Sequence, residues 1–316
     1  MKRCIFIICL LLIGSTFVAC GNERGNGVKL SAPFFDSTDD QGNHVVLKEK
    51  PKRIVSTSLG IDEVLIELTD ESQIAALSWY AHDELMTCIA PRAKKYKHLQ
   101  RNIEAIMSCH PDLVIVTNDS TQSPAFVQGL KDVGLTVFVS NNPEKIDDIL
   151  NRIKCIGKLI GREDEAEALN KKLDEILKQV DEKVGKIPED KKPVIIAFGY
   201  TGAFGKKGGL FDSMCERAGV KNGAAILGKV TGVPISKERV LLLNPDIIFL
   251  PTWEKEKNQA SEFKESLLND PAYQNVKAIR EKRLLEISDK YRYSASQYAV
   301  FGVEVIARAV YPKLFK

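Results

Sequence analysis

The chain has 316 residues, with 45 basic and 42 acidic side chains, a formal net charge of +3 and 44% hydrophobic residues. This composition is close to that of soluble globular proteins and excludes wholesale disorder, a collagen-like fold and a polytopic membrane protein. The nearly balanced charge gives no support for nucleic acid as a partner, because nucleic-acid binders usually carry a strong basic excess. The length predicts about two domains.

The N-terminus has the pattern of a secretory leader. A basic start at Lys2 and Arg3 precedes an apolar run from Ile5 to Ile13. The run is shorter than the ~20 residues that cross a bilayer, which favours a cleaved signal peptide over a membrane span.

The end of this leader resembles a bacterial lipobox. Small residues stand before Cys20, although Phe17 occupies the place where leucine is usual. The resemblance implies cleavage before Cys20 and a lipid on its thiol, which would hold the protein at a membrane without spanning it. We predict a lipoprotein signal peptide at 1–19 and a flexible tether at 20–33. The expected location is therefore extracytoplasmic, in a periplasm or on the outer face of the cell membrane. The alternative is an ordinary signal peptide with a chance cysteine.

Short apolar runs then alternate with helical patterns. The sequence predicts a β-ribbon over 34–47, strands at 53–56, 74–77, 113–116 and 135–139, and helices at 62–68 and 126–133. Strands that alternate with helices indicate a parallel sheet covered on both faces. We assign residues 34–142 to an N-terminal α/β lobe.

The alternation of short strands and helices ends at residue 143, where a long helical pattern begins. Isoleucines and leucines recur at helical spacing on either side of Gly161. A helical stretch this long predicts a rigid brace at 143–186 between two lobes. A two-helix insertion in a single domain is the alternative.

A second α/β series follows. The sequence predicts strands at 193–199, 247–250 and 284–287, and helices at 210–218 and 294–310. We assign residues 187–316 to a C-terminal α/β lobe. The predicted fold is therefore α/β, with two lobes of parallel-rich sheets joined by the brace and a ligand cleft between them.

The two halves share an internal repeat. In each half a glutamate, Glu104 or Glu238, stands seven residues before a Pro-Asp pair that opens an apolar strand. Each glutamate is expected in the first turn of a short helix, where the helix dipole favours a negative charge. A single such glutamate would be explained by helix capping. Two at equivalent places predict a paired role.

These motifs resemble the substrate-binding proteins of bacterial importers for iron complexes, haem and cobalamin. The resemblance covers about residues 50–315 and is carried by Pro51–Ser56, by the two repeat segments and by the segments at 269–273 and 276–279. It implies a ligand cleft between two α/β lobes. It also implies that Glu104 and Glu238 dock on the dimeric permease of an ABC transporter, which works with an ATPase.

The ends of the predicted strands suggest which residues line the cleft, because open α/β sheets bind ligands at the carboxyl ends of their strands. Both tryptophans of the chain and several other aromatic or polar residues fall there, a mixture typical of sites for large, partly apolar ligands. The predicted ligand-binding residues are Ser58, Trp79, Tyr80, His82, His98, Arg101, Asn118, Tyr200, Trp253, Tyr291 and Arg292.

Several ligands fit this set. His82, Tyr96 or His98 would serve as an axial ligand of haem iron, and Arg101 with Arg292 would suit an anionic siderophore. A corrinoid is the third possibility, although the segment before Glu104 lacks the tryptophan that the cobalamin pattern leads us to expect. No resident cofactor or structural metal is expected, because the iron complex, haem or corrinoid would be the cargo.

Three other functions are weighed against this one. A bare zinc or manganese site would need three or four converging ligands, for which only His82, Asp83 and His98 are suggestive. An extracytoplasmic hydrolase would use Ser58, His82 and Asp83, although the chain has no GxSxG or HExxH motif. A surface sensor or adhesin with the same fold is the third. We expect a binding protein and not an enzyme.

Overall fold

The computed structural model describes residues 32–118, 124–231, 233–254 and 256–316. The predicted signal peptide, Cys20 and all but the last two residues of the predicted tether lie outside the described residues.

The first half begins with a ribbon and continues as a sheet. The ribbon strands β1 (Phe35–Thr38) and β2 (His44–Leu47) pair antiparallel. The elements that follow are β3 (Ile54–Ser56), α1 (Leu59–Leu68), β4 (Ile74–Ser78), a 3-10 turn (Trp79–His82), α2 (Ala90–Ala93), β5 (Lys97–Leu99), α3 (Ile103–Met107), β6 (Leu113–Asn118), α4 (Pro124–Asp132) and β7 (Val137–Asn141). Strands β3 to β7 form a parallel sheet in the order β5-β4-β3-β6-β7.

Two long helices follow, α5 (Ile146–Ile160) and α6 (Glu163–Val184). Gly161 ends α5 with a left-handed backbone (φ 68°), a conformation that glycine adopts without steric cost. Gly157 lets the helices approach closely, because a Cβ there would lie 2.5 Å from the Cβ of Ala166. Helices α5 and α6 therefore pack together instead of running on as one rod.

The second half forms a second sheet. Its elements are a 3-10 turn (Glu189–Lys191), β8 (Val194–Gly199), β9 (Gly202–Phe204), α7 (Leu210–Arg217), β10 (Lys221–Asn222), α8 (Gly223–Ile226), α9 (Lys237–Leu243), β11 (Ile247–Leu250), α10 (Gln259–Asn269), a 3-10 turn (Pro271–Tyr273), α11 (Lys277–Arg280), β12 (Leu284–Glu286), α12 (Asp289–Arg292) and α13 (Gln297–Val310). The parallel order is β10-β8-β11-β12, and β9 pairs antiparallel with β8. The predicted fold class, a two-lobed α/β protein with parallel-rich sheets, is confirmed.

The strands are apolar on both faces, and each face joins a different core. In β6, Leu113 and Ile115 enter a large core shared by both halves, whereas Val114 and Val116 enter a smaller core under α3 and α4. Strand β11 alternates in the same way between the shared core and a second small core. Parallel sheets buried on both sides require such continuous apolar runs.

The shared core is built around α5 and α6. Helix α5 packs against α1 of the first half and against α7 and α13 of the second, and α6 packs against α7 and α13. The C-terminal helix α13 thus joins the two predicted brace helices in one layer between the sheets. Residues Pro33–Lys316 form one compact unit as a result.

The internal repeat has a structural basis in both halves. His110 and Asn244 occupy the left-handed region (φ 46° and 47°) directly before the two prolines. The carboxylate of Asp112 accepts hydrogen bonds from the backbone N–H groups of Lys52 and Arg53, and that of Asp246 accepts one from Val194. In both halves the Pro-Asp pair therefore ties the strand after the repeat helix to the start of the neighbouring strand.

A polar cluster around Glu63 joins α1 to the segment before α13. The buried carboxylate of Glu63 accepts hydrogen bonds from the hydroxyls of Thr87 (2.5 Å), Ser294 (2.8 Å) and Ser296 (2.6 Å). Gly60 allows α1 to lie close to the segment before α13, because a Cβ at this position would lie 2.9 Å from the carbonyl oxygen of Ala295. Burial raises the pKa of Glu63 from 4.5 to about 7, because the desolvation of its charge outweighs the hydroxyl hydrogen bonds.

This pKa makes stability depend on pH. The folded protein keeps a proton on Glu63 up to about pH 7, whereas the unfolded chain loses it near pH 4.5. The stabilising contribution is complete below the unfolded pKa and is lost as pH rises through the folded pKa. We expect Glu63→Gln to remove this contribution to the pH dependence, worth up to ~3 kcal/mol, in urea unfolding between pH 5 and pH 8. Glu67→Gln, an exposed residue of the same helix, is the control. A wild-type slope in Glu63→Gln would contradict the assignment.

Candidate functional site

The carboxyl ends of the two sheets meet at the candidate cleft. Asp83 follows β4 and its 3-10 turn in the first lobe, and Trp253 follows β11 in the second. The indole Nε1–H of Trp253 donates a hydrogen bond to Oδ2 of Asp83 at 3.3 Å. The loops that follow these strands therefore face each other, as expected for a site between two α/β lobes.

The first lobe presents aromatic rings to this space. Trp79 and Tyr80 are 50% and 53% exposed. This is a large fraction for aromatic side chains, whose apolar surface is more stable when it is removed from water. Exposed aromatic rings at the carboxyl end of a buried sheet form a surface suited to a flat, partly apolar ligand.

Two imidazole rings lie next to them. The His82 ring lies 4.7 Å from that of Trp79 and 5.1 Å from that of His98, measured between centroids. Nδ1 of His82 and Nε2 of His98 are buried without a hydrogen-bond partner in the described part of the chain. Burial and the neighbouring His82 lower the pKa of His98, which favours a neutral ring able to accept a proton or a metal.

The remaining predicted residues of the first lobe lie at the ends of β3, β5 and β6. The Ser58 hydroxyl shares a 2.6 Å hydrogen bond with that of Thr117, and Asn118 Nδ2 donates to Asn141 Oδ1 at 3.2 Å. Arg101 Nε donates to the Thr57 carbonyl at 3.4 Å. Among the residues described, Ser58 and His82 share no hydrogen bond, so the nucleophile–base pair that a hydrolase needs is not formed here.

The second lobe contributes tyrosines. The Tyr200 hydroxyl is buried without a partner among the residues described, and its ring lies 6.1 Å from that of Phe263. Burial raises the pKa of Tyr200, with Glu254 and Asp289 adding to the shift. Tyr291 is half-buried, and burial raises the pKa of its hydroxyl.

Tyr293 is a further candidate in the loop that the ends of the predicted strands place at the cleft. It is 43% exposed, and its ring lies 4.5 Å from that of Phe204. Its hydroxyl oxygen lies 2.6 Å from where a Cβ of Gly199 would be, so glycine at the end of β8 makes room for it. The signal in the sequence was its position two residues after Tyr291 in the same predicted loop.

Arg292 has a placement that argues against the predicted ligand contact. Its guanidinium is fully buried, forms an ion pair with Asp289 and donates to the Phe198 carbonyl at 3.2 Å. The second oxygen of Asp289 accepts from the backbone N–H groups of Thr252 and Trp253, both at 2.7 Å. Arg292 therefore holds Asp289, and Asp289 holds the Trp253 loop.

The two predicted docking carboxylates are exposed at equivalent places. Glu104 lies in α3, which is capped by the Asn102 side chain, and Glu238 lies in α9, which is capped by Ser236. A hydrogen bond with its own backbone N–H and another with Ser236 lower the pKa of Glu238, which keeps it charged at neutral pH. Neither carboxylate forms a salt bridge within the described ranges.

Within the described part of the chain, no group of three or more His, Cys, Asp or Glu residues could hold a metal ion, and no helix is long and apolar enough to span a bilayer. Two surface grooves of about 510 and 580 Å³ lie beside α7 and β10. None of the predicted site residues lines them, and charged residues at their edges pair with neighbours, as Arg217 does with Asp181.

Comparison with known proteins decides the family. Residues 54–291 match the model of a family described as periplasmic binding protein. The chain belongs to this family. A relative from Bacillus subtilis, named an uncharacterized ABC transporter substrate-binding lipoprotein, YvrC, is 26% identical over all of this chain and 99% of its own length.

Two solved structures of periplasmic binding proteins share the fold. The periplasmic heme-binding protein RhuT from Roseiflexus is 20% identical, with a TM-score of 0.70 over 83% of this chain and 99% of RhuT. MolA from Haemophilus influenzae, bound to molybdate, is 21% identical, with a TM-score of 0.72 over 89% of this chain and 92% of MolA. At these identities the likeness shows a shared fold, whereas the family match supports binding over catalysis as the role of this chain.

The role of Arg292 can be tested by stability. We expect Arg292→Met to lower the free energy of unfolding by ~3–5 kcal/mol, because it leaves the Asp289 charge buried without its partner. Urea denaturation measures this loss, and the double variant Arg292→Met/Asp289→Asn should recover part of it. Unchanged stability in Arg292→Met would contradict the role of the buried ion pair in holding Asp289.

Proposed function

We propose that this periplasmic binding protein captures a metal chelate, either a ferric siderophore, haem or a corrinoid, and delivers it to an ABC permease driven by an ATPase. The proposal includes a lipid anchor at Cys20 and work outside the cytoplasm, in a periplasm or on the outer face of the cell membrane. The name of the YvrC relative, which includes the word lipoprotein, supports the anchor.

The observation that carries the proposal is the aromatic lining of the cleft. Trp79 and Tyr80 on one lobe and Tyr293 on the other expose large rings at the carboxyl ends of the two sheets. Such rings match the apolar faces of a macrocycle or an aromatic chelator, whereas a bare cation would need a cluster of charged or imidazole ligands. Trp253 and Tyr200 complete the aromatic set on the second lobe.

The surrounding polar groups suit the metal of such a chelate. His82 and His98 place imidazole nitrogens beside the aromatic surface, and Arg101 brings a positive charge to the same lobe. An imidazole can complete the coordination of a metal whose other positions the chelator fills. Ser58, Asn118 and Tyr291 are proposed as polar contacts at the rim.

A ligand panel tests the proposal. Trp79 and Trp253 are the only tryptophans of the chain, so a bound chromophore should quench the intrinsic emission. We expect saturable quenching by one member of a panel of haemin, cobalamin, cobinamide and several ferric siderophores. For haemin, a shift of the Soret band would indicate an axial His or Tyr. Molybdate, Zn²⁺ and Mn²⁺ complete the panel, and binding of one of these alone would contradict a chelate as the cargo.

Docking to the permease is tested separately. The proposal assigns Glu104 and Glu238 to contact cations on the two halves of the permease dimer, because one exposed carboxylate per lobe matches a symmetric partner. We expect Glu104→Lys/Glu238→Lys to abolish uptake of the identified ligand by cells and to leave its dissociation constant unchanged. The matched control is Glu167→Lys/Glu175→Lys, two exposed glutamates of α6. Normal uptake by the first double variant would refute the docking assignment.

A further inference from the structure

We propose that the hydrogen bond between Trp253 and Asp83 is a latch that keeps the lobes closed at the cleft when no ligand is bound. A ligand would have to displace this bond to reach the aromatic lining. The inference rests on the proposed function only for the identity of the ligand, since the hydrogen bond joins two side chains of this chain.

The Asp83 side of the latch is held by a turn. Oδ1 of Asp83 accepts hydrogen bonds from the backbone N–H groups of Leu85 (2.8 Å) and Met86 (3.3 Å). Its other oxygen, Oδ2, is the one that accepts from the Trp253 indole. The turn thus occupies one oxygen and aims the other at the opposite lobe.

The Trp253 side is held by a buried ion pair. The Asp289 carboxylate accepts hydrogen bonds from two successive backbone N–H groups, those of Thr252 and Trp253. The Thr252 hydroxyl in turn accepts a hydrogen bond from the Asp289 backbone N–H at 2.8 Å. Arg292, fully buried, holds the other oxygen of Asp289. The indole is therefore presented by a rigid support and not by a flexible loop.

The latch is weaker than a second connection between the two halves. Buried Glu63 accepts hydrogen bonds from the hydroxyls of Ser294 and Ser296, and Arg152 donates to the Ala295 carbonyl at 2.9 Å in partly buried surroundings. The latch is a single bond of 3.3 Å between partly exposed groups. An opening motion would therefore break the latch before it broke the buried cluster at Glu63, which also binds Thr87 beside the Asp83 turn.

Asp83→Asn removes the latch and keeps the turn. The asparagine oxygen is needed by Leu85 and Met86, so the amide NH₂ must face the Trp253 N–H, and two donors cannot bond. We expect the open population to rise about fivefold, the factor that corresponds to a hydrogen bond of ~1 kcal/mol. The control is Glu84→Gln, whose carboxylate is exposed in the same turn and pairs with Lys94.

The readout needs no ligand. In a Trp79→Phe background, Trp253 is the single tryptophan. We expect Asp83→Asn to shift its emission to longer wavelength and to at least double its Stern–Volmer constant for acrylamide, while Glu84→Gln leaves both unchanged. Identical emission and quenching in Asp83→Asn and its parent would overturn the proposal, as would an equal change in Glu84→Gln.

A second variant tests the latch independently, in case Asp83→Asn fails to fold. Trp253→Phe keeps an aromatic ring and loses the N–H, and we expect faster amide hydrogen exchange over residues 79–86 while the rest of the protein exchanges as in the wild type. Unchanged exchange there would overturn the latch. If no ligand of the panel quenched the emission of the wild-type protein, the proposed function would be refuted and the latch would not. The two failures are therefore distinct.

Discussion

A parallel sheet that is apolar on both faces has to be covered on both faces, and this constraint sets the plan of the molecule. In each half, one face of the sheet is covered by its own helices. The other face enters a core shared through α5, α6 and α13. The common core holds the two sheets as one unit, which leaves the carboxyl ends of their strands to face each other.

The polar contacts between the lobes include a buried cluster and a partly exposed bond at the cleft. In the cluster, hydroxyl groups surround Glu63, which carries no cation partner in the described ranges and has a pKa raised to about 7. At the cleft, the Trp253 indole bonds to Asp83 beside exposed aromatic rings. Ligand binding and release are therefore expected to change the bond at the cleft, while the buried cluster and the packed helices keep their arrangement.

Most of the fold could be predicted from the sequence, because its strands are strongly apolar and its helices strongly periodic. Strands such as Ile247–Leu250 and the pair of long helices matched the prediction closely. The elements that escaped prediction are short or polar, as in β5 (Lys97–Leu99) and β10 (Lys221–Asn222), whose pairing depends on neighbours distant in sequence. The role of α13 as a third helix of the brace layer also depends on tertiary packing.

The site was predictable only in part. Trp79, Tyr80 and Trp253 follow the carboxyl ends of strands, as the rule for open α/β sheets expects, and their contact with a ligand stays a prediction. The rule cannot tell a side chain that faces the cleft from its neighbour that faces inward. Arg292 is buried against Asp289, whereas Tyr293 next to it is exposed. That difference is decided by a backbone turn and by the space above Gly199, which no local pattern encodes.

The central claim is that the cleft carries a metal held in an organic chelator. Native mass spectrometry of the protein isolated from its own cells, combined with metal analysis, tests this most directly. The account predicts one chelate per chain, with a metal and an organic component in equal amounts. A bare divalent cation at full occupancy with no organic component would contradict it.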